Sequence, residues 1–392
     1  MIYIDLFSGC GGLALGLHNA GFKGLFAVEK SPDAFSTLKH NLIDKNNNFD
    51  WPSWLPVSHH DVNEVIEKYS SNLLTLRGKI ALIAGGPPCQ GFSMAGRRRE
   101  EDNRNKLIDS YVKFVELVQP QMIFFENVKG FTVGFKQGNK RGQAYSVYVV
   151  NALEKLGYDV RGQIVDFSEY GVPQKRQRFI LVGTKKGKAD SFFEAIVGNK
   201  ASFFQSKKIA NKTSLGEAIS DLLQSNGSVD SPDTKNFQAG VYSQATSKYQ
   251  KLMREKVKSE VVDSHRFAKH GKEVVEKFRF ILQNTTPNKN IPDEVKAKYN
   301  LKKRTTVPLC ANSPTPTLTT LPDDYIHYCE PRILTVREYA RIQSFPDDYE
   351  FKGKYTTGGD RRKIDVPRYT QIGNAIPPLF AEQAGLVLRE MI

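Results

Sequence analysis

The sequence predicts an α/β fold: a doubly wound, mostly parallel sheet into which a smaller, irregular domain is inserted. Three observations predict this class. Short apolar runs alternate with amphipathic stretches from residue 1 to residue 184, as strands and helices do in a parallel sheet. The alternation stops near Lys185 and returns near Pro331. The chain of 392 residues is also long enough for about two or three domains.

The elements are predicted in order along the chain. Apolar runs predict strands at residues 2–6, 25–28, a segment ending near His60, 80–84, 122–125 and 179–182. Amphipathic spacing predicts helices at residues 11–20, 32–40, 62–69, 106–118 and 144–156, with a further candidate at 272–282. A capping box formed by Thr335 and Glu338 predicts a helix that ends at residues 344–346, and a final helix is expected over 378–389.

The composition argues against several classes of protein. No run of eighteen apolar residues is present, so no membrane-spanning helix is expected. The first residues lack the pattern of a secretory signal, so the protein is expected in the cytoplasm. Neither a CxxC pair nor a zinc-like spacing occurs, so disulfides and a metal site are not expected. The four cysteines are Cys10, Cys89, Cys310 and Cys329.

The positive charge of the chain is concentrated in one segment. The formal net charge is +14, and residues 185–304 hold 24 Lys and Arg against 13 Asp and Glu. Such a stretch can be a plain solvated surface, but beside an α/β core it is suited to phosphate contacts with nucleic acid. Residues 185–331 are therefore predicted to be an inserted domain, and residues 1–184 plus 332–392 the domain that carries the sheet.

The segment GGPPCQGFS, residues 85–93, carries the strongest functional signal. It follows the apolar run 80–84, and its glycines and prolines force the backbone out of the strand into a fixed turn. Cys89 is thus predicted to be a thiolate nucleophile at the carboxyl end of a strand, where open α/β sheets bind ligands. A lone cysteine can instead pack as a small hydrophobe, but this rigid loop is a poor place for an inert core thiol.

A glycine turn follows the first predicted strand. Gly9, Gly11 and Ala14 form a GxGxxA pattern at a helix start, where the backbone can approach a ligand closely. Glu29 ends the second predicted strand, where an acid can hold a ribose diol. A nicotinamide cofactor, another adenosine cofactor and a purely structural turn all remain compatible with this pattern.

Taken together, these motifs resemble those of the cytosine-C5 DNA methyltransferase family, in the family's order along the whole chain. The segments are DLFSGCGG at 5–12, GPPCQ at 86–90, ENV at 126–128, QKRQR at 174–178, LTVRE at 334–338, QSFP at 343–346 and QIGNAIPP at 371–378. Tyr339 and Ile376 depart from the residues more usual there. The resemblance implies the fold of S-adenosylmethionine-dependent methyltransferases, a target recognition domain at 185–331 and a catalytic, cofactor-binding domain at 1–184 plus 332–392.

The resemblance implies a role for each catalytic residue. Cys89 would add to C6 of cytosine, while Glu126 would hold the ring's N3 and exocyclic amine. Arg178 would hold O2 of the base, and Arg176 would order the catalytic loop. Because the ring must leave the duplex, base flipping follows from this chemistry. On the residues alone, Glu126 could be an ion-pair partner, and the two arginines could be surface contacts to phosphate.

Binding residues follow from the same resemblance. For S-adenosylmethionine they are Phe7, which would stack on the adenine, and Gly9, Gly11, Glu29, Asp61, Pro87 and Asn374. For DNA they are Gln90, Ser93, Arg97 and Thr317. Residues 91–105 are expected to be a mobile loop that closes over the flipped nucleotide. The partner is expected to be double-stranded DNA, bound by a monomer.

Rival functions remain at this point. An RNA cytosine methyltransferase would share the core, although the long basic insert favours duplex DNA. A catalytically silent regulator would bind cofactor and DNA. Such a protein would not require Cys89, Glu126 and Arg178, yet all three are present. A nicotinamide oxidoreductase is a more distant rival. The bare architecture around the motifs favours the modification enzyme of a restriction-modification system.

Overall fold

The protein divides into two compact units. The computed structural model describes residues 1–88, 106–134, 136–137, 140–141, 143–356, 361 and 365–392, without the side chains of the residues from 136 to 141. The first unit contains Met1–Phe167, Gln177–Lys200 and Phe380–Ile392, and the second contains Ser168–Arg176 and Ala201–Leu379. This division differs from the predicted domains, since residues 332–379 fall in the second unit. The assignment of functions to domains stays a prediction.

A central sheet organises the first unit. The strands of that unit are β1 Ile2–Leu6, β2 Lys23–Val28, β3 Leu82–Gly85, β4 Met122–Val128, β5 Lys136–Gln137, β6 Lys140–Arg141, β7 Asp159–Asp166 and β8 Gln177–Thr184. Six of them form one sheet in the order β2-β1-β3-β4-β8-β7, and β5 pairs with β6. The neighbours β2, β1, β3 and β4 are parallel, whereas β8 is antiparallel to both β4 and β7. The sheet is therefore mostly parallel, as predicted.

Helices lie on both faces of this sheet. The helices described in the chain are α1 Gly12–Asn19, α2 Pro32–Leu38, α3 Val62–Lys68, α4 Ser70–Thr75, α5 Lys106–Val118, α6 Tyr145–Lys155, α7 Asp190–Gly198, α8 Lys200–Lys207, α9 Leu215–Ile219, α10 Lys248–Met253, α11 Lys272–Asn284, α12 Asp293–Lys298, α13 Val336–Ile342, α14 Arg368–Asn374 and α15 Pro378–Met391. Buried side chains of α3 to α6 join Ile4, Ile83 and Phe125 in one core. On the opposite face, Phe124 meets Phe192 of α7, with 6.2 Å between ring centroids. The doubly wound α/β class is confirmed.

The end of the chain packs against its beginning. A Cβ on Gly16 of α1 would lie 2.3 Å from the Cβ of Ala381 in α15. Arg389 of α15 donates from Nη1 to the carbonyl oxygen of Ala20 at 2.8 Å. Only glycine at position 16 allows so close an approach. The last helix thus completes the first unit.

The second unit is built from short elements, as the irregular segment predicted. Its strands are β9 Ser228–Asp230, β10 Gln238–Val241, β11 Val261–Arg266, β12 Val307–Pro308 and β13 Tyr325–Ile326. Strand β10 pairs antiparallel with β9 and β11, and β12 pairs with β13. Helix α13 begins at the predicted capping box, in which the Glu338 backbone N–H donates to Thr335 Oγ1 at 3.2 Å. The two arginines of α13 have fully buried side chains that pair with carboxylates. Arg337 pairs with Asp263, and Arg341 pairs with Asp221 and Asp347.

Three sequence expectations differ from the structure. No strand ends near His60 in the described chain, because Pro52 and Pro56 lack the N–H that a strand needs, and only an isolated bridge joins Phe49 to Gly24. Strand β7 was not predicted, since as an edge strand it buries few apolar side chains. Strand β4 continues to Val128, so Glu126 lies inside the strand rather than closing it. No described helix is long and apolar enough to cross a membrane.

Candidate active site

A turn of left-handed residues joins β1 to α1. Phe7, Gly9 and Gly11 have φ values of 58°, 55° and 88°. For a residue with a Cβ this conformation costs about 1–2 kcal/mol, so Phe7 is strained there. A Cβ on Gly9 would meet nothing within 4 Å, and Phe7 is half-buried against the core. The turn therefore leaves open space beside its backbone at the start of a helix.

Glu29 ties this turn to the end of β2. Its carboxylate accepts the Gly9 backbone N–H at Oε2 (2.9 Å) and the Ser31 N–H at Oε1 (2.7 Å). Burial raises the pKa of Glu29, and the backbone hydrogen bonds from Ser31 and Gly9 oppose that rise. The structure thus brings together Gly9 and Glu29, which the sequence placed at one cofactor site.

Asp61 lies beside Glu29. The His60 backbone N–H donates to the carbonyl oxygen of Glu29 at 2.8 Å, and Asp61 follows as the N-cap of α3. Lys30 Nζ lies 2.9 Å from Asp61 Oδ2, and the Asn63 N–H donates to Oδ1 at 2.9 Å. Burial raises the pKa of Asp61, but these two partners outweigh it and leave the pKa lowered. Asp61 is therefore an ionised acceptor at physiological pH.

The end of β3 is locked against β4. Gly85 pairs with Phe125 in the parallel register. A Cβ on Gly86 would come within 2.8 Å of the Glu126 carbonyl oxygen and 2.9 Å of its Oε2. Pro87 is buried, and its carbonyl oxygen accepts from Asn127 Nδ2 at 3.4 Å. The backbone that leads toward Cys89 thus rests directly on residues 126–127 of the adjacent strand β4.

Glu126 is paired with Arg178. Their side chains are each 13% exposed, and Arg178 Nε lies 2.9 Å from Glu126 Oε1. Arg178 Nη1 also donates to the carbonyl oxygen of Gln177 at 2.9 Å. Burial lowers the pKa of Arg178, and the Glu126 carboxylate opposes that shift. The arrangement holds a carboxylate and a guanidinium side by side at the edge of the sheet where β3 ends.

Other predicted site residues lie in the second unit. Arg176 is buried and donates from Nη1 to the Leu318 carbonyl oxygen at 3.5 Å, while Thr317 is exposed and donates from Oγ1 to the carbonyl oxygen of Lys175 at 2.7 Å. Asn374 ends α14 and is exposed. The preceding Gly373 lies so close to Thr319 that a Cβ would be 2.7 Å from its carbonyl oxygen. Arg176, Thr317 and the end of α14 thus meet through the 317–319 segment.

The remaining predicted residues lie outside the described part of the chain. They are Cys89, Gln90, Ser93 and Arg97. The described residues nearest to them in sequence are Pro88, which is exposed, and Lys106, which begins α5. Within the described part of the chain, no group of three or more His, Cys, Asp or Glu side chains is placed to hold a metal ion.

Sequence reasoning missed three residues that position the site. Asn127 bonds to Pro87, and Gly86 leaves the space that Glu126 fills. Gln174 is fully buried in the second unit, where it donates from Nε2 to Gln343 Oε1 (3.0 Å) and accepts the Leu318 N–H (2.8 Å). All three belong to motifs that the sequence displayed, so the signal was present. Their side-chain partners are far away in the chain, which local patterns do not reveal.

The fold is an open α/β sheet, a class of proteins that bind ligands beyond the carboxyl ends of their parallel strands. The profile of the C-5 cytosine-specific DNA methylase family matches residues 1–389, and the chain belongs to that family. It is a DNA (cytosine-5-)-methyltransferase. The predicted family is confirmed, and the nicotinamide oxidoreductase interpretation is wrong.

Individual relatives agree with this assignment. The type II methyltransferase M.DdeI of Desulfomicrobium norvegicum is 31% identical over 402 residues, covering 97% of this chain and 87% of the relative. The type II methyltransferase M1.HphI of Haemophilus parahaemolyticus is 29% identical over 386 residues, covering 97% of this chain and 85% of the relative. A crystal structure described as a prophage-encoded DNA modification methyltransferase of E. coli superimposes with a TM-score of 0.66 at 23% identity, covering 100% and 99%. The structure of the S. pombe Dnmt2 methyltransferase superimposes with a TM-score of 0.56 at 14% sequence identity, covering 100% of this chain and 98% of that one. Both structural likenesses show the fold.

Proposed function

We propose that this enzyme transfers a methyl group from S-adenosylmethionine to C5 of a cytosine that is flipped out of a specific duplex DNA sequence. The observation that carries the proposal is the Glu126–Arg178 pair, which lies against the turn leading to Cys89. Because the relatives are type II methyltransferases, the proposed role is modification within a restriction-modification system, in the cytoplasm. The domain around residues 185–331 would recognise the target.

The chain's own residues would divide the chemistry between them. The Cys89 thiolate forms a bond to C6, and the electron pair of the C5–C6 double bond becomes available at C5. Glu126 holds N3 and the exocyclic amine as charge develops on the ring, and Arg178 holds O2. After C5 has gained the methyl group, a base removes the C5 proton and the bond to Cys89 breaks. Arg178 also fixes Glu126 through their ion pair, so the two groups act as one unit.

The residues beside the glycine turn are suited to the proposed cofactor. S-adenosylmethionine supplies an activated methyl group on a sulfonium. The open space beside Gly9 would admit the cofactor close to the backbone, and Phe7 offers a half-buried ring to the adenine. Each carboxylate oxygen of Glu29 keeps a lone pair for a ribose hydroxyl beyond its backbone bonds. Gly11, Asp61 and Pro87 of the first unit would complete the site. Asn374, which belongs to the second unit, stays a predicted cofactor ligand.

The proposed substrate suits the charge of the chain. Residues 185–304 carry 24 Lys and Arg against 13 Asp and Glu, and most of them belong to the second unit. Charge of this kind favours a polyanion, because binding releases the counterions condensed on its phosphates. Thr317 is exposed and would contact DNA. Gln90, Ser93 and Arg97, which lie outside the described residues, are the other proposed DNA contacts. A monomer suffices for one flipped base.

The experiment that tests the proposal measures transfer of a labelled methyl group to mixed-sequence duplex DNA. Wild type is compared with Cys89→Ser and with Cys329→Ser, which removes an exposed thiol of the second unit. The expected result is 5-methylcytosine in DNA for wild type and Cys329→Ser, and none for Cys89→Ser.

Other outcomes would replace the proposal. Label in structured RNA, with none in DNA, would make the enzyme an RNA cytosine methyltransferase. Cofactor binding without transfer to either polymer would indicate a silent regulator. Full activity of Cys89→Ser would remove the covalent step while leaving the substrate assignment intact.

A further inference from the structure

Arg266 of the second unit is held between two aromatic rings. It ends β11, and its guanidinium carbon lies 4.1 Å from the ring centroid of Phe237 and 3.8 Å from that of Tyr355. Stacking on two rings fixes the plane of a guanidinium. The side chain is therefore rigid before it meets any ligand.

Among the residues that the structure describes, this guanidinium has no polar partner. Its Nε is buried and unbonded, and no hydrogen bond or ion pair joins the group to any residue that the structure describes. The neighbouring carboxylate, Asp233, pairs with other residues. Its Oδ2 lies 2.7 Å from Arg368 Nη1 and accepts a hydrogen bond from the Tyr355 hydroxyl at 2.9 Å. Burial lowers the pKa of Arg266, yet a guanidinium stays charged. The described part of the second unit thus keeps a partly buried cation without a hydrogen-bond acceptor.

A second stacked arginine of this unit, Arg254, shows the contrast. Arg254 lies 4.0 Å from the ring centroid of Tyr242, and it donates to Asp221 Oδ2 at 3.2 Å and to the Ser243 carbonyl oxygen at 2.7 Å. The buried guanidinium groups of α13 likewise have carboxylate partners. An arginine that serves only packing is therefore saturated here, whereas Arg266 is not.

A second cation lies on the same ring. Lys269 is exposed, and its Nζ lies 5.0 Å from the centroid of Phe237. No ion pair joins Lys269 to another part of the described chain. Leaving desolvated donors unbonded is unfavourable, so this spot is suited to an incoming acceptor. The planar fork of arginine is matched to two adjacent acceptors.

We propose that Arg266 is a DNA-recognition residue, which donates two parallel hydrogen bonds to a pair of adjacent acceptors on the substrate duplex. Two sources offer that chemistry: O6 and N7 of a guanine in the major groove, and two oxygens of one phosphate. The inference rests on the proposed function, because it requires duplex DNA as the substrate. It assigns a specific contact to a residue of the basic insert.

The test compares wild type, Arg266→Lys, Arg266→Met and the matched control Arg254→Lys. Methyl transfer is measured on a library of duplexes in which the target and its flanks are randomised, and DNA affinity is measured across salt concentrations. Lysine keeps the charge and stem but lacks the fork. We expect Arg266→Lys to lower transfer to the preferred sequence by about tenfold to a hundredfold. Arg254→Lys should lower the unfolding temperature while the sequence profile stays the same.

The two acceptor sources give different patterns. A guanine contact predicts that Arg266→Lys loses discrimination at one G·C pair, and that 7-deazaguanine there weakens wild type but not the variant. A phosphate contact predicts an equal loss on all sequences, with a salt slope reduced by about one for Arg266→Met. If both variants keep the wild-type profile and affinity, Arg266 is a packing residue and the inference is overturned. Failure of wild type to methylate DNA would instead refute the proposed function itself.

Discussion

Glu126 and Arg178 form their ion pair diagonally across two antiparallel strands. In the register of β4 with β8, Glu126 faces Ile180 and Val128 faces Arg178. Alternate residues of a strand share a face, so Glu126 lies on the same face as Val128 and therefore on the same face as Arg178. The two charged side chains are two register positions apart. A slip of one residue would turn Arg178 to the other face. The pair therefore depends on β8, the strand that interrupts the parallel order.

Replacing Glu126 by glutamine is expected to lower the rate of methyl transfer by about 100-fold or more, because the variant can neither ion-pair with Arg178 nor stabilise charge on the ring. Single-turnover kinetics measure the chemical step, and anisotropy measures DNA binding, which should change little. Glu116→Gln alters an exposed acid that pairs with Lys113 on α5 and should behave as wild type. Equal rates for Glu126→Gln and wild type would contradict the catalytic assignment.

Gly86→Ala is expected to displace Glu126, since the added carbon would come within 2.8 Å of the Glu126 carbonyl oxygen. Crowding of this kind costs about 1–3 kcal/mol of unfolding free energy, and the turnover number should fall with it. Urea unfolding and steady-state kinetics measure both effects. The control is Gly198→Ala at the end of α7, where a Cβ meets nothing within 4 Å. Unchanged stability and turnover in Gly86→Ala would show that the contact is not tight.

Glu29→Gln is expected to weaken S-adenosylmethionine binding by about tenfold or more, because hydrogen bonds to a charged acceptor are worth about 1.5–3 kcal/mol. One amide oxygen cannot replace two carboxylate oxygens that hold Gly9 and Ser31 as well as a ligand. Calorimetric titration with the cofactor alone measures this affinity. Glu64→Gln on the exposed side of α3 serves as the control. An unaltered affinity would exclude Glu29 from the cofactor site.

Glu338 should make the stability of the protein sensitive to acid. Burial would raise the pKa of its carboxyl, but the Arg332 guanidinium outweighs burial and holds the pKa at about 2, below the ordinary 4.5. A lowered pKa means that the ionised carboxylate stabilises the folded state above about pH 4.5, and that this stabilisation is lost as the pH falls toward 2.

The corresponding variant is Glu338→Gln. Its deficit in unfolding free energy at neutral pH is expected to be about 3 kcal/mol, and the deficit should shrink as the pH falls from 4.5 toward 2. Urea unfolding at a series of pH values measures it, with the exposed Glu294→Gln of α12 as control. A deficit that does not vary with pH would show that Glu338 does not titrate as described.

Local patterns in the sequence determined much of this protein. Apolar runs fixed five strands of the central sheet, the capping box at Thr335 fixed the start of α13, and the glycine turn placed Gly9 near the end of β2. These features follow from rules that act within a few residues: side-chain periodicity, capping and the freedom of glycine. The motifs also identified the family, since their order is a property of the chain alone.

Only the tertiary structure decided how distant groups meet. The pairing of Glu126 with Arg178 follows from an antiparallel register that no local pattern encodes, and Arg176 enters the second unit although it stands two residues from Arg178. Arg266 likewise lacks a hydrogen bond to the described residues because Asp233 pairs with Arg368 and Tyr355 instead. Partners far apart in sequence are selected by packing and by competition for hydrogen bonds, and both are settled only when the whole chain has folded.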